Sequence, residues 1–139
     1  KLKDIAYSIE FIKSLPIFHL LDACSQRVLI ASALTCSNFT AAFYSYSHHS
    51  DRTFFPDGTV MSWDYELESL APESINFHMG MIAAIREARM DRREYALLKR
   101  IIVLNPMLEG LSPHDITLLQ HERESCTNML MSYVLVRRG

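Results

Sequence analysis

Leu2, Ile5, Ile9, Ile12 and Leu15 recur at steps of three or four and mark one face of an amphipathic helix. Pro16 stops it, because proline lacks an amide proton and its ring clashes with the turn before. Phe18 to Leu21 reads as a short connecting turn. From Ser25 to about His48 the pattern stays helical but becomes apolar almost all round, through Val28, Leu29, Ile30, Leu34, Phe39, Ala41, Ala42 and Phe43. A helix without a polar face must be covered on every side. This segment is therefore expected to run through the centre of the domain, sandwiched by other helices.

The character changes at Thr53-Phe-Phe-Pro-Asp-Gly-Thr-Val-Met61, where aromatic and β-branched residues flank Pro56-Asp57-Gly58. That pattern predicts a small β-hairpin leaning on helices. Pro72-Glu73 fits the first turn of a new helix, with Ile75, Met79, Ile82 and Ile85 on its apolar face. Asp91 marks a break. Tyr95, Leu98, Ile101 and Ile102 carry the next helix as far as Asn105-Pro106. Ser112 is a good N-cap, Pro113 suits a first helical position and Asp115 favours a first turn. The last helix then passes through Leu119, Cys126, Leu130 and Tyr133 toward Arg137-Arg138. The pattern predicts an all-α domain of five or six helices with one small hairpin.

Composition narrows the class. Of 139 residues, 49% are hydrophobic, too many for a disordered chain. The formal charge of −2 lacks the basic surplus of a general nucleic-acid binder. Cys24, Cys36 and Cys126 are odd in number and widely spaced, which excludes a disulfide scaffold and a CxxC zinc site; reduced, buried thiols are the expectation. The first residue is Lys1 with a helical pattern already running, so the chain is expected to be a fragment. Val28 to Tyr44 is the most apolar stretch. It is short for a membrane span and contains Asn38, so a core helix is expected and no membrane partner.

The chemistry-bearing residues are sparse. His48, His49 and Asp51 are expected in a loop. His114 and His121 stand seven apart, not the four that put two ligands on one helical face, so no metal site is predicted. No nucleophile elbow, phosphate-binding glycine loop or HExxH motif occurs, and no catalytic residues are assigned. Arg86, Arg89, Arg92, Arg93 and Arg100 form a basic run interleaved with Glu87, Asp91 and Glu94. It is expected to be a solvated face with i,i+4 pairing. Lys13, taken alone, is a solvated lysine beyond an apolar stripe.

The block Phe11-Ile12-Lys13, then Phe18, Leu21, Ser25-Gln26 and Leu29-Ile30, resembles the signature of the nuclear receptor ligand-binding domain at every position and spacing. Glu94-Tyr-Ala-Leu-Leu-Lys99-Arg-Ile-Ile-Val-Leu-Asn-Pro106, followed by Gly110-Leu-Ser112, is similar to helix 8 and the start of helix 9 of that domain. It is closest to the retinoid X receptor and hepatocyte nuclear factor 4 type, and drift from the vertebrate pattern suggests a divergent nematode member. The resemblance implies a three-layer antiparallel α-helical sandwich with one small β-hairpin, here residues 1–139, from mid helix 3 to helix 9. The N-terminal helices and helices 10 to 12 would lie outside this chain. So would a zinc-containing DNA-binding domain, with no cofactor in the fragment itself.

The resemblance also implies function and sites. The domain would be the ligand-sensing, coregulator-recruiting part of a nuclear, ligand-regulated transcription factor. The alternative is a ligand-independent platform for coregulators or dimerisation. A groove for coactivator or corepressor helices is expected from Ile9, Lys13, Gln26, Arg27 and Ile30, with Arg27 standing where the family places an apolar residue. A pocket for a small fatty-acid-like or steroid-like ligand is expected from Leu34, Asn38, Arg52, Val60, Met61, Leu70 and Phe77. Arg52 is the candidate partner of a ligand carboxylate. A receptor homo- or heterodimer partner is expected, and DNA contact only through another domain.

Overall fold

The computed structural model describes residues 2–48 and 72–139, with the side chains of 3–48 and 77–139. In chain order these form α1 (Leu2–Ser14), a 3-10 turn (Pro16–Leu20), α2 (Ala23–Ile30), α3 (Ala33–Ser47), α4 (Pro72–Ala88), α5 (Arg92–Val103) and α6 (Pro113–Arg138). No strand occurs among the described residues, and the hairpin expected at 53–61 lies outside them.

The expected single helix from Ser25 to His48 is two helices. The Ser32 hydroxyl donates to the Leu29 carbonyl at 2.6 Å, and the Ser32 amide reaches the same oxygen at 3.0 Å. That carbonyl is the one Ala33 would use to continue an α-helix. A serine bonding back to its own turn breaks the ladder there. Downstream of the break the apolar expectation is met. Phe39, Thr40, Ala41, Ala42 and Phe43 are all buried, a run longer than one turn, so the middle of α3 is covered on every side. Its neighbours are α1, α4 and α5. The stretch 23–47 is long and apolar enough to cross a membrane by length and composition, but more than half of it is buried against other helices. It is a core helix.

Two cores flank this axis. One joins Ile12, Leu15, Phe18, Leu29, Val103 and Leu119, from α1, the 3-10 turn, α2, α5 and α6. Ile12, Leu29 and Leu119 are fully buried there, worth about 1.5–3 kcal/mol each. The other joins Phe39 and Phe43 of α3 to Ile82 and Ile85 of α4. Tyr95 of α5 stacks on Phe43 at 4.1 Å and on Phe39 at 5.4 Å between ring centroids. Met79, expected on the buried face of α4, is 39% exposed. Cys36 and Cys126 are buried as expected; Cys24, on the outer side of the first turn of α2, is exposed.

The five arginines of the basic run are exposed, as expected, but the carboxylates at the start of α5 do not follow the expected i,i+4 pairing. Asp91 caps the helix by accepting the Glu94 amide at 2.8 Å, while its own amide donates to the Glu94 carboxylate at 3.1 Å. Both carboxylates then take their cations from α6, not from within the run. Arg137 and Arg138 meet buried Glu94, Arg137 Nε lies 3.3 Å from Asp91, and the Tyr133 hydroxyl donates to Asp91. The same two arginines donate to the Arg89 carbonyl at 3.0 and 3.3 Å, where Arg89 takes a left-handed φ of 50° between α4 and α5.

Candidate functional site

The signature block folds into one corner. α1 ends at Ser14, Pro16 opens the 3-10 turn, and Asp22 caps α2 by accepting the Ser25 amide at 2.8 Å. Ile17 and Phe18 of the turn are buried and seat the corner on the first core. Ile9 on α1 and Ile30 on α2 are both half-buried and pack against that core. Lys13 stands exposed in the last turn of α1, and Arg27 is exposed on α2. Neither makes an ion pair among the described residues. Lys13 lies one turn after Ile9 on α1, and Arg27 one turn before Ile30 on α2.

Gln26, expected on the opposite wall of the groove, is half-buried on α2. Its amide nitrogen donates to the Phe18 carbonyl at 3.0 Å, which latches α2 to the 3-10 turn. Two contacts that the sequence pattern does not reveal hold α2 from the other side. The buried Asp115 carboxylate in the first turn of α6 accepts the Asp22 amide at 3.1 Å. Burial raises the pKa of Asp115, but the adjacent Ser25 hydroxyl, the Asp22 amide and Ser112 bring it below the ordinary carboxylate value. Gly110, at φ +94°, brings its backbone so close to α2 that a Cβ there would sit 3.0 Å from Val28 Cγ2. Asp115 was identifiable as a first-turn acid, but its bond to a residue 93 positions away leaves no local signal.

Of the expected ligand-pocket residues, Leu34 and Asn38 lie one turn apart on α3, Leu34 at 49% exposure and Asn38 half-buried. Phe77 lies on α4, which packs against α3, and is 64% exposed. Arg52, Val60, Met61 and Leu70 lie outside the described residues.

Among the described residues the domain is all-helical around a central helix that is buried over most of its length. Residues 2–138 match the family model described as the ligand-binding domain of nuclear hormone receptor, and the chain belongs to that family. Among curated relatives it is similar to three proteins of Caenorhabditis elegans. Nuclear hormone receptor family member nhr-153 is 29% identical over 95% of this chain and 32% of its own length. Family member nhr-136 is 30% identical over 95% of this chain and 31% of its own length. Family member nhr-10 is 29% identical over 99% of this chain and 36% of its own length. The chain thus spans about a third of the length of the relatives it matches.

Proposed function

We propose that this chain is the ligand-sensing and coregulator-recruiting part of a nuclear transcription factor of the retinoid X receptor and hepatocyte nuclear factor 4 type. The parent protein reaches DNA through a separate zinc-containing domain and pairs with a second receptor. An apolar ligand shifts the population toward a state in which a coregulator helix docks on the α1–α2 corner. The observation that carries this reading is the corner itself. Ile9 and Ile30 share one core, and Lys13 stands free at the end of α1, where the family signature places the lysine that caps the peptide's last carbonyls. Arg27, exposed beside it, makes the groove shallower and more cationic than an apolar residue would. The pocket is proposed from Leu34, Asn38, Val60, Met61, Leu70 and Phe77, with Arg52 for a ligand carboxylate.

The test is a titration of the complete receptor domain with a labelled peptide carrying leucines at i, i+3 and i+4. Lys13→Ala is expected to weaken binding by roughly 1–2 kcal/mol, the scale of a hydrogen bond to a charged group. Equal affinity for wild type and Lys13→Ala would return Lys13 to an ordinary solvated lysine. A second reading, a ligand-independent platform, is favoured by the exposure of Leu34 and Phe77, which leaves room for side chains rather than a ligand to cover them. Native mass spectrometry of the complete domain separates the two, since a retained lipid supports sensing.

A further inference from the structure

The basic run has a part that the clasp between α5 and α6 does not use. Arg89 in the link between α4 and α5, and Arg92 and Arg93 in the first turn of α5, are exposed and make no ion pair among the described residues. The last turn of α6 brings two more arginines to the same edge. Arg137 and Arg138 both donate to the Arg89 carbonyl, and the Arg93 guanidinium lies 5.8 Å from the ring centroid of Tyr133, one turn before Arg137. Five arginines from three consecutive parts of the chain therefore meet on one edge. Arg86, which has a partner of its own, is left out of that number.

The carboxylates nearby do not balance this edge. Glu94 is buried under Arg137 and Arg138, Asp91 is taken up by its cap, Tyr133 and Arg137, and only Glu87 in the last turn of α4 is exposed. Five cations against three anions leave a net of two positive charges on one edge of a chain whose formal charge is −2. The clasp needs Arg137 and Arg138. Arg89, Arg92 and Arg93 add like charge within four positions of sequence, which folding does not reward. A surplus of this kind acts on what approaches from outside, because an approaching ion meets the local field rather than the net charge. Arginine forks meet phosphate oxygens with paired hydrogen bonds. Both bonds of Arg138 among the described residues use Nη2, at 3.1 Å to Glu94 and 3.3 Å to Arg89, so its Nε and Nη1 protons remain for an outside acceptor. The clasp also fixes Arg137 and Arg138 beforehand, which lowers the ordering cost of a contact. Neighbouring helices pack at about 8–10 Å, so an edge that crosses from α5 to α6 is long enough for about three phosphates of one DNA strand, at about 3.4 Å each along the axis.

We infer that this arginine edge binds the phosphate backbone of DNA and adds sequence-independent contacts to those of the separate DNA-binding domain. The inference rests on the reading that the parent protein reaches DNA through that domain. Once that domain is bound, the edge meets DNA at a high effective concentration, so a few contacts too weak to hold DNA alone raise the total affinity. The edge shares no residue with the α1–α2 corner or the proposed pocket.

The experiment is titration of the full receptor chain onto a labelled mixed-sequence DNA duplex of about 30 base pairs, followed by fluorescence anisotropy between about 50 and 200 mM salt. Each phosphate contact contributes about 0.9 to the slope of log K against log salt concentration. Neutralising the edge with Arg89→Gln, Arg92→Gln and Arg93→Gln together is expected to reduce that slope by about 2–3 and to weaken binding at least tenfold at the lowest salt. Lys3→Gln, which removes an exposed charge on α1, should leave the slope as it is. A measurement on the wild-type chain covers the case in which the triple variant does not fold: DNA should slow modification of Arg92 and Arg93 by phenylglyoxal, read by mass spectrometry, without slowing that of exposed Arg27. An unchanged slope in a folded triple variant, or Arg92 and Arg93 modified at the same rate with and without DNA, overturns the inference and leaves the reading of the parent protein standing. No binding of DNA by the wild-type chain overturns that reading and the inference with it. An unchanged slope together with a polyglutamate peptide that binds wild type but not the triple variant means an acidic protein partner instead of DNA.

Discussion

Asp115→Ala in the complete domain tests how the corner is held. Asp115 is 2% exposed and accepts the Asp22 amide at 3.1 Å. A hydrogen bond to a charged acceptor contributes about 1.5–3 kcal/mol. An acid in the first turn of a helix adds about 0.3–1 kcal/mol through the helix dipole. The expected loss is about 3 kcal/mol at pH 7, measured by urea unfolding followed through helical circular dichroism. Asp115→Asn keeps an acceptor and loses the charge, so about half of that is expected. The pH dependence has a definite sign. A carboxyl whose folded pKa lies below its unfolded value near 4 gives its full stabilisation above about pH 4 and loses it as pH falls through the folded value. The gap between wild type and Asp115→Asn should therefore be constant at neutral pH and close from about pH 4 downward. A loss below about 0.5 kcal/mol for Asp115→Ala, or a gap unchanged down to pH 3, would refute the reasoning. The corner should feel the change too: Asp115→Ala is expected to weaken leucine-motif peptide binding although it touches no peptide.

Glu94→Gln retains an acceptor for the Asp91 amide but removes the charge facing Arg137 and Arg138, and should cost about 1–2 kcal/mol, while Glu94→Ala also loses the cap and should cost roughly 1 kcal/mol more. Equal melting temperatures for the two variants would show that the cap adds nothing. With a thiol reagent, Cys24 should react in the folded domain and Cys36 and Cys126 only after unfolding, since both are buried and burial raises their pKa; three fast thiols would contradict the packing. The Tyr95 phenol is pushed up to about 12 by burial, so an alkaline absorbance titration should contain a late component that Tyr95→Phe removes. Its absence would mean that water reaches the α3–α5 stack.

What the sequence made legible was local. The step-of-three-or-four pattern up to Leu15, the stop at Pro16, the Asp91 break and the Ser112 cap each act within one turn of the chain, and each is where expected. The break at Ser32 escaped because one hydroxyl decides it, and serine is tolerated inside many helices. Asp91 and Glu94 were read against their sequence neighbours, whereas their cations come from residues more than forty positions away. For the site, Lys13, Ile9 and Ile30 were expected from the family signature, and they stand on α1 and α2 of the corner. The bond from Gln26 to the Phe18 carbonyl was not legible, because its acceptor belongs to the irregular 3-10 turn.

The clasp between α5 and α6 also bears on the order in which the domain assembles. Every bond in it joins residues 42 to 49 positions apart, across a helical hairpin with a short connection. Loop-closure entropy is modest at that separation, and helical hairpins are fast-forming units. The tie between Asp22 and Asp115 closes a loop of about twice the length. The α5–α6 hairpin should therefore be in place before α2 is fastened to it. The α1–α2 corner is then among the last parts of the domain to form, and a partly folded chain has its α5–α6 hairpin but no finished corner.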